Sequence, residues 1–322
     1  MQPAPLIRTL FLALLFGLPA CASADNATPA EPAPRGNQPQ QADLSALEKP
    51  DSGYRFVTRR LLSEDGKRRY RVYIGIPKQP ASAGGFPVLY ALDGNAAAAY
   101  LDDAAFARLR QNPVILVLIA PDSSLRIDRA QRAWDYTPPV SDQTCLHDPI
   151  DPALCNGGAL GFFRLLTGKI RPLVTEAAPM QDARRQTLWG HSYGGLFVLY
   201  TFLYAPQSFN RYVAADPSLW LRGGSGLPDT DGLDARLGHG TRNIWLHKSG
   251  GTLPGALQGK MPPPDPERLR RLAARLDALP NVSTVYEEYP AETHGSLMKI
   301  SFQTALTLAA EPYTVFPIFL IF

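Results

Sequence analysis

Two kinds of hydrophobic pattern alternate along the main part of the chain. Residues 86–92 and 114–120 are apolar runs without polar alternation, which is typical of parallel strands covered on both faces. Residues 266–279 instead carry leucines at helical spacing, behind Asp265 as a cap and Pro266 as a first helical residue. Further short runs predict strands at residues 187–189, 212–215, 243–246 and 282–286.

The first folded segment has the pattern of a β-hairpin. Residues 54–58 and 69–74 alternate apolar and polar side chains, and an Asp65-Gly66 turn lies between them. Strands that alternate with helices give a mostly parallel sheet with helices on both faces. The sequence therefore predicts an α/β protein with a mostly parallel, twisted central sheet, flanking helices and an N-terminal antiparallel hairpin.

The N-terminus has the features of an export signal. Arg8 precedes an apolar run at residues 10–16, and residues 22–24 have the Ala-Ser-Ala sequence of a cleavage site. The apolar run is too short to span a bilayer, so we expect cleavage after Ala24. Lipid attachment at Cys21 is the alternative, because the residues before it resemble a bacterial lipobox.

Composition divides the chain into four parts. We predict a signal peptide at residues 1–24, a flexible linker at 25–52, one α/β domain at 53–311 and an apolar tail at 312–322. The linker has few large apolar side chains, so it cannot bury enough surface to offset the entropy of ordering it. The tail is too short to span a membrane, and we assign no role to it.

Two cysteines are left once the signal is removed. Cys145 and Cys155 bracket a short segment. Close cysteines in an exported chain are expected to pair in an oxidising compartment. We therefore predict a disulfide between them, with two free buried thiols as the alternative.

Charge and residue clusters restrict the partners of the chain. The formal net charge is +3, and Lys and Arg form no run, which argues against a nucleic-acid partner. The sequence has no cluster of metal-ligating residues, so we predict no metal site and no cofactor.

Residues 190–194, Gly-His-Ser-Tyr-Gly, match the G-x-S-x-G pattern of a nucleophilic serine. In this pattern the serine lies on a strained strand-to-helix turn, and the flanking glycines let backbone and helix approach without a Cβ clash. The context fits, because residues 187–189 predict a strand and residues 196–203 predict an apolar helix. We therefore predict an α/β-hydrolase fold with Ser192 as its nucleophile.

Position along the chain selects one of the five histidines as the base. In this fold the histidine follows the serine and comes after the last strand. His294 meets both conditions, because it follows the strand that ends near residue 289 and precedes a predicted helix around residues 302–309. We expect His191 to point away from the site, since it is adjacent to the nucleophile. The other histidines lie before the serine, in a turn or within a strand: His147, His239 and His247.

The sequence leaves three explanations for the third member of a catalytic triad, the group that orients the histidine. An orienting carboxylate normally follows the penultimate strand, but the first one there is Asp265, which is already explained as a helix cap. Asp216, at the end of the predicted strand 212–215, is a candidate acid, although an Asp-Pro turn also explains it. A Ser–His dyad, in which a carbonyl group or water orients the imidazole, is the third possibility.

An oxyanion hole requires two backbone N–H groups aimed at the developing charge. One comes from the residue after the nucleophile, which is Tyr193. The other comes from the loop after an earlier strand, where the sequence is Asp93-Gly94-Asn95. Gly94 or Asn95 is our candidate, and a plain turn is the alternative, since Asp-Gly-Asn is common turn chemistry.

Several segments resemble the periplasmic esterases that open catecholate trilactone siderophores of the enterobactin and salmochelin type. The resemblance covers most of the chain, from the hairpin to the helix after His294. The segments at residues 93–95 and 132–138 are its most specific parts. The cysteine loop and the C-terminal tail depart from the family pattern. The other similar segments are residues 86–92, 188–198 and 216–219.

The resemblance implies a periplasmic α/β-hydrolase that cleaves the trilactone esters and so weakens the binding of iron by the siderophore. It also implies a dyad-like site and no bound iron except the iron of the substrate. The protein would act on siderophores that an outer-membrane receptor has taken up. Arg132 would lie near the active site and face the anionic catecholates, which a guanidinium can pair with and stack on. A secreted carboxylesterase for acyl or feruloyl esters is the alternative, since fold and triad do not fix the substrate; a non-catalytic siderophore-binding protein is the third hypothesis.

Overall fold

A mixed sheet lies at the centre of the structure, with helices packed on both of its faces. The structure is a computed structural model that describes residues 39–139, 145–224, 226–238, 240–251 and 265–311. The predicted signal peptide, the first half of the predicted linker and the apolar tail lie outside the described residues, as does His239.

The described strands confirm the predicted α/β architecture. They are β1 Tyr54–Leu62, β2 Arg69–Pro77, β3 Phe86–Ala91, β4 Ile115–Pro121, β5 Leu146–His147, β6 Cys155–Asn156, β7 Gln181–His191, β8 Arg211–Ala215, β9 Arg242–Ser249 and β10 Val282–Tyr289. The central sheet has the order β1-β2-β4-β3-β7-β8-β9-β10. β2 is antiparallel to β1 and β4, and the other neighbouring strands are parallel. β5 and β6 form a separate antiparallel pair.

The described helices connect these strands. They are α1 Gly94–Ala98, α2 Asp103–Gln111, α3 Arg129–Asp135, α4 Ala159–Leu165, α5 Arg171–Ala177, α6 Tyr193–Tyr204, α7 Leu233–Leu237, α8 Arg268–Asp277 and α9 His294–Ala310. A π-helical turn, Leu166–Ile170, joins α4 to α5. None of the described helices has the length and apolar composition that crossing a membrane requires.

Burial on both faces explains the continuous apolar runs. In β3, Val88 and Tyr90 pack in one hydrophobic cluster, whereas Leu89 and Ala91 pack in the cluster on the opposite face. All four residues are at most 1% exposed. Because each face is covered, neither set of alternating positions has to be polar.

The two faces are covered by different helices. α3 to α8 contribute to the cluster that contains Val88, and α1, α2 and α9 contribute to the cluster that contains Leu89. α6 is buried from Tyr193 to Leu203. A helix that is apolar on all sides belongs in the core of a large domain, so the turn that precedes α6 is attached to a rigid element.

The folded part begins earlier than predicted. Residues 39–52 were expected to belong to the flexible linker, but they include two 3-10 helices, Ser45–Glu48 and Pro50–Ser52. Leu44 and Leu47 pack against the core, and the N–H of Ala42 donates to a backbone carbonyl group at 2.8 Å. Two apolar side chains and backbone pairing are enough to order a segment whose composition resembles a linker.

Candidate active site

Three non-glycine residues with positive φ lie at the carboxyl ends of neighbouring parallel strands. Asp93 (φ 50°) follows β3, Ser192 (φ 60°) follows β7 and Asp216 (φ 41°) follows β8. β7 lies between β3 and β8, so the three residues meet at one edge of the sheet. Such backbone is strained and persists only where the surrounding structure holds it. Ligands of open α/β sheets bind at this edge, where the strand order reverses.

Backbone hydrogen bonds hold Ser192 at the turn between β7 and α6. Its N–H donates to the carbonyl oxygen of Ala215 at 2.9 Å, and its carbonyl oxygen accepts from the N–H of Ser218 at 3.2 Å. Ser192 is partly exposed, and its Oγ lies 3.2 Å from the Oγ of Ser218. The turn joins a strand to a helix as the motif predicts, but the sequence did not indicate Ser218 as a partner.

Close backbone approach decides which glycines this turn needs. A Cβ on Gly190 would lie 2.4 Å from the carbonyl oxygen of Gly194, and one on Gly195 would lie 2.7 Å from that of Ala215. A Cβ on Gly194 would meet nothing nearer than 3.5 Å, which is ordinary van der Waals contact. The clash expected at both flanking glycines is therefore found only at Gly190, and Gly195, outside the motif, makes the second close approach.

His294 is the first residue of α9, where a capping box fixes the start of the helix. The side chain of Thr293 accepts from the N–H of Ser296 at 3.1 Å, and the Oγ of Ser296 accepts from the N–H of Thr293 at 2.9 Å. The sequence predicted this helix only around residues 302–309. Its first turn contains the exposed Gly295 and Ser296, so the apolar spacing that indicates a helix begins later than the helix itself.

Asp216 is the carboxylate that contacts His294. Its Oδ2 lies 2.9 Å from Nδ1 of His294, and since an ionised carboxylate only accepts, Nδ1 carries the hydrogen. Ser249 donates its N–H to Oδ1 at 3.1 Å and its hydroxyl to Oδ2. Burial opposes the charged form, but the hydrogen bonds from His294 and Ser249 outweigh it and lower the pKa of Asp216 to about 2.

The contact between Asp216 and His294 bears on the three explanations offered for the third member of the catalytic triad. A carbonyl group or water does not orient the imidazole of His294, because the carboxylate of Asp216 does. The turn explanation is also correct, since Asp216 has positive φ directly after β8. One residue therefore makes the turn and places a carboxylate on His294, which favours a triad over the implied dyad-like site; a catalytic role for Asp216 stays a prediction.

His191 lies inside the site, against our expectation that it points away. Its Nε2 is 2.7 Å from the carbonyl oxygen of His294, and the two rings are 4.5 Å apart. Burial, with the nearby His294 and Arg132, lowers the pKa of His191 to about 3. The ring is therefore neutral at pH 7, and Nε2–H donates to the carbonyl group, which ties the start of α9 to the end of β7. Adjacency to Ser192 carried no signal of this long-range bond.

The predicted oxyanion donors lie in the first turns of two helices. Gly94 and Asn95 open α1 and Tyr193 opens α6, and first-turn N–H groups have no acceptor within their own helix. A Cβ on Gly94 would lie 2.6 Å from the backbone of Leu118, so only glycine fits there. The side-chain amide of Asn95 donates to the carbonyl oxygen of Leu125 at 2.8 Å, so this side chain secures the turn.

Arg132 lies beside the site, and its guanidinium is hydrogen-bonded to neighbouring protein groups. Nε and Nη2 each donate to a carboxylate oxygen of Asp93 at 3.0 Å, and Nη2 also donates to the carbonyl oxygen of His191 at 3.2 Å. Its Cζ lies 5.8 Å and 5.4 Å from the ring centroids of Tyr136 and Tyr193. With 12% of the side chain exposed, Arg132 is largely buried in these contacts, and its implied role of facing catecholates stays a prediction.

The predicted disulfide is present. Cys145 and Cys155 are bonded, with their Cα atoms 5.0 Å apart. The segment that they close contacts the site, because the hydroxyl of Tyr193 donates to Oδ2 of Asp148 at 2.5 Å.

His191, Asp216 and His294 also form a group whose possible metal-ligand atoms lie within 4.8 Å of one another. Hydrogen bonds explain their proximity, since Nδ1 of His294 faces the carboxylate and Nε2–H of His191 faces a carbonyl oxygen. A metal ion would have to displace both bonds. The absence of a metal cofactor stays a prediction.

Comparison with protein families assigns this arrangement to a known group. Residues 63–271 match the family model Esterase, which is described as "Putative esterase". The match covers more than half of the chain and includes Ser192 and Asp216. The chain belongs to the esterase family. Ser192 and Asp216 therefore lie in the part of this esterase that matches the family model, and His294 follows that part.

Two relatives of this esterase are named for siderophores. It is 40% identical over 168 residues to the apo-salmochelin esterase of Escherichia coli, and the alignment covers 52% of each chain. It is 28% identical over 261 residues to the ferri-bacillibactin esterase BesA of Bacillus subtilis, over 79% of this chain and 89% of the relative. The first alignment thus spans about half the length of that relative.

Solved structures confirm the fold. The enterobactin and salmochelin hydrolase IroE superposes with a TM-score of 0.64 and 30% identity, over 83% of this chain and 100% of that chain. The BES protein of Bacillus cereus has the same TM-score of 0.64 at 24% identity and supports the fold alone. The predicted α/β-hydrolase architecture of this esterase is therefore confirmed.

We expect Gly195→Ala to lower the free energy of unfolding by about 2 kcal/mol, because its Cβ would press on the Ala215 carbonyl group, and such overpacking typically costs about 1–3 kcal/mol. Gly194→Ala is the matched control and should cost less than about 0.5 kcal/mol, since alanine also favours the helix. Urea denaturation of both variants measures the difference. Equal losses would contradict this account of the turn.

We expect the stability of the protein to fall as the pH decreases from 6.5 towards 3, with His191 as one cause. An unfolded histidine binds a proton below about 6.5, whereas the folded pKa of about 3 keeps His191 neutral. The unfolded state therefore binds more protons in this range, and acid favours it. His247, whose pKa burial lowers to about 4, acts in the same direction.

The variant His191→Gln keeps a donor for the His294 carbonyl group but cannot titrate. Between pH 6 and 4.5, the free energy of unfolding should depend less steeply on pH, by about 1 kcal/mol per pH unit. Urea denaturation across this range measures the slope. If the free energy of unfolding depended on pH equally in the variant and in the parent protein, His191 would not titrate as described.

Proposed function

We propose that this esterase is an exported serine hydrolase that cleaves the ester bonds of catecholate trilactone siderophores. The observation that carries the serine mechanism is the contact between Nδ1 of His294 and Asp216, beside the strained turn of Ser192. The relatives named as salmochelin and bacillibactin esterases support the substrate class.

The hydrogen bond to Asp216 sets the roles of the two nitrogens of His294. Because Nδ1 carries the hydrogen, Nε2 is the basic nitrogen that takes the proton of Ser192. The hydroxyl of Ser192 exchanges its bond to Ser218 for one to Nε2, and its Oγ attacks the ester carbonyl carbon. Asp216 is ionised at neutral pH, so it stabilises the imidazolium that forms.

The rest of the cycle uses the same groups. Negative charge develops on the carbonyl oxygen, and the N–H groups of Tyr193 and of Gly94 or Asn95 stabilise it. His294 then protonates the departing alkoxide, which leaves as the free alcohol end of the opened trilactone. Water, deprotonated by His294, attacks the acyl group on Ser192; the carboxylic acid product leaves as Oγ of Ser192 takes the proton back from His294.

Export and periplasmic location form the second part of the proposal. The apolar segment and the Ala-Ser-Ala site support cleavage after Ala24. The disulfide between Cys145 and Cys155 supports an oxidising compartment. Iron would arrive as part of the substrate, after uptake through an outer-membrane siderophore receptor.

We expect the purified protein to convert enterobactin to its linear trimer, dimer and monomer, and Ser192→Ala to form none of them. Chromatography of the catechol products measures the conversion, and p-nitrophenyl acetate provides a second substrate. Ester hydrolysis retained by Ser192→Ala would overturn the serine mechanism. Intact enterobactin beside rapid hydrolysis of short acyl or feruloyl esters would instead favour a general secreted carboxylesterase.

We expect Asp216→Asn to lower kcat by about a thousand-fold or more, because the amide no longer holds the reactive tautomer of His294 or stabilises its cation. Asp265→Asn is the control, since that exposed carboxylate pairs with Arg271 on the surface, and its kcat should change by less than about two-fold. Steady-state rates with p-nitrophenyl acetate and thermal melting separate lost catalysis from unfolding. Comparable kcat in the two variants would remove Asp216 from the mechanism.

A further inference from the structure

The segment closed by Cys145 and Cys155 contacts a residue that supplies an oxyanion donor. Tyr193 opens α6, and its side chain points into the folded protein, where it is 6% exposed. Its hydroxyl donates to Asp148 at 2.5 Å. Asp148 lies between the two cysteines, just after β5, so the segment reaches the turn of Ser192 through one side chain.

We propose that Asp148 is a positioning residue, which aims the backbone N–H of Tyr193 at the substrate oxyanion by anchoring the phenol of the same residue. The proposal rests on the serine mechanism above. It gives the disulfide-closed segment a role in catalysis, because that segment is the frame that holds Asp148.

Both carboxylate oxygens of Asp148 accept hydrogen bonds. It is 2% exposed, and Oδ2 takes hydrogen bonds from the hydroxyl of Tyr193 at 2.5 Å and from the amide of Asn156 at 3.1 Å. Oδ1 takes the backbone N–H groups of Ile150 at 2.9 Å and Asp151 at 3.3 Å. Burial of an anion is costly unless its oxygens are satisfied, and here four donors satisfy them.

The segment around Asp148 is rigidly closed. The disulfide joins its two ends, β5 pairs with β6, and the N–H of Asp148 donates to the carbonyl oxygen of Leu154 at 2.9 Å. Arg222, from the region that follows Ser218, donates to the carbonyl oxygen of His147 at 2.5 Å. The acceptor for Tyr193 is therefore fixed by covalent and hydrogen-bonded links on both sides.

The ring of Tyr193 is held from other directions too. The ring of Trp220 lies 5.7 Å from it, centroid to centroid, and the Cζ of Arg132 lies 5.4 Å from its centroid. Together with the hydroxyl bond to Asp148, these contacts restrict both χ angles of Tyr193. A fixed side chain restricts the Cα and hence the direction of the peptide N–H, which must point at the oxyanion rather than merely lie near it.

The test compares Asp148→Asn with Asp151→Asn in the same segment, using the full-length purified protein and p-nitrophenyl acetate. Asparagine has the same shape but offers one acceptor oxygen and an N–H₂ group that cannot accept from the phenol. We expect kcat to fall about ten-fold, with KM changed by less than about two-fold, because complete loss of an oxyanion donor costs about a hundred-fold or more. The Asp151→Asn control, whose side chain accepts from the N–H of Ala153 within the same turn, should retain the parent kcat.

A double-mutant cycle decides whether the effect passes through the phenol. Tyr193→Phe should lower kcat to a similar extent, and adding Asp148→Asn to it should cause little further loss, since partners in one interaction are not additive. Independent, multiplying losses would overturn the proposal, as would an Asp148→Asn variant with the parent kcat.

A boronic acid gives a readout that simple destabilisation does not move. Phenylboronic acid forms a tetrahedral adduct on a nucleophilic serine, and its inhibition constant should rise in Asp148→Asn by the same factor by which kcat falls. An unchanged inhibition constant with a lowered melting temperature would show a purely structural role. If Asp148→Asn does not fold, Cys145→Ser with Cys155→Ser loosens the same frame, and the same paired change in kcat and inhibition is expected.

Failure of this proposal is distinguishable from failure of the proposed function. All rates are measured on the activity that Ser192→Ala removes. If Ser192→Ala keeps the activity, the serine mechanism fails. If Ser192→Ala abolishes it while Asp148→Asn does not alter it, the serine mechanism stands and the positioning role of Asp148 is wrong.

Discussion

Left-handed backbone at three adjacent strand ends is the constraint on which the site depends. Asp93, Ser192 and Asp216 each leave their strand with positive φ, at a cost of about 1–3 kcal/mol per residue. The fold compensates through elements that are themselves rigid, since α6 is buried on all sides and the N–H of Ser192 is bonded to the neighbouring strand end. In return, each turn places a polar side chain at the carboxyl edge of the sheet, next to those of the neighbouring strands.

One ion pair connects two of these turns. Arg132 donates to both carboxylate oxygens of Asp93 and to the carbonyl oxygen of His191, so it joins the Gly94 loop to the end of β7, directly before Ser192. Removing one member of such a buried pair leaves an uncompensated charge, which costs about 3–5 kcal/mol. The pair therefore explains a structural role for an arginine beside the site, whether or not it also contacts substrate.

A second set of bonds joins the ends of β7, β8 and β9 to α9. His191 donates to the carbonyl group of His294, whose ring donates to Asp216, and Asp216 in turn accepts from Ser249. The pKa of His191 is low because the ring is buried, and that of Asp216 is low because hydrogen bonds outweigh its burial. The site therefore combines the neutral His191, which fixes the position of His294, with the ionised Asp216, which fixes its tautomer.

The sequence by itself determined the fold class, the hairpin, the disulfide and the strand-turn-helix around Ser192, because apolar periodicity, turn residues and chain order are local signals. It did not determine that Asp216 serves His294, that His191 points inward, or that Arg132 is already paired. Those facts depend on which strand ends become neighbours in the sheet, and residues 78 positions apart, such as Asp216 and His294, carry no sign of that in their local pattern. Tertiary structure alone decided them, since hydrogen bonds and buried charges are satisfied by whatever the packing brings within about 3 Å.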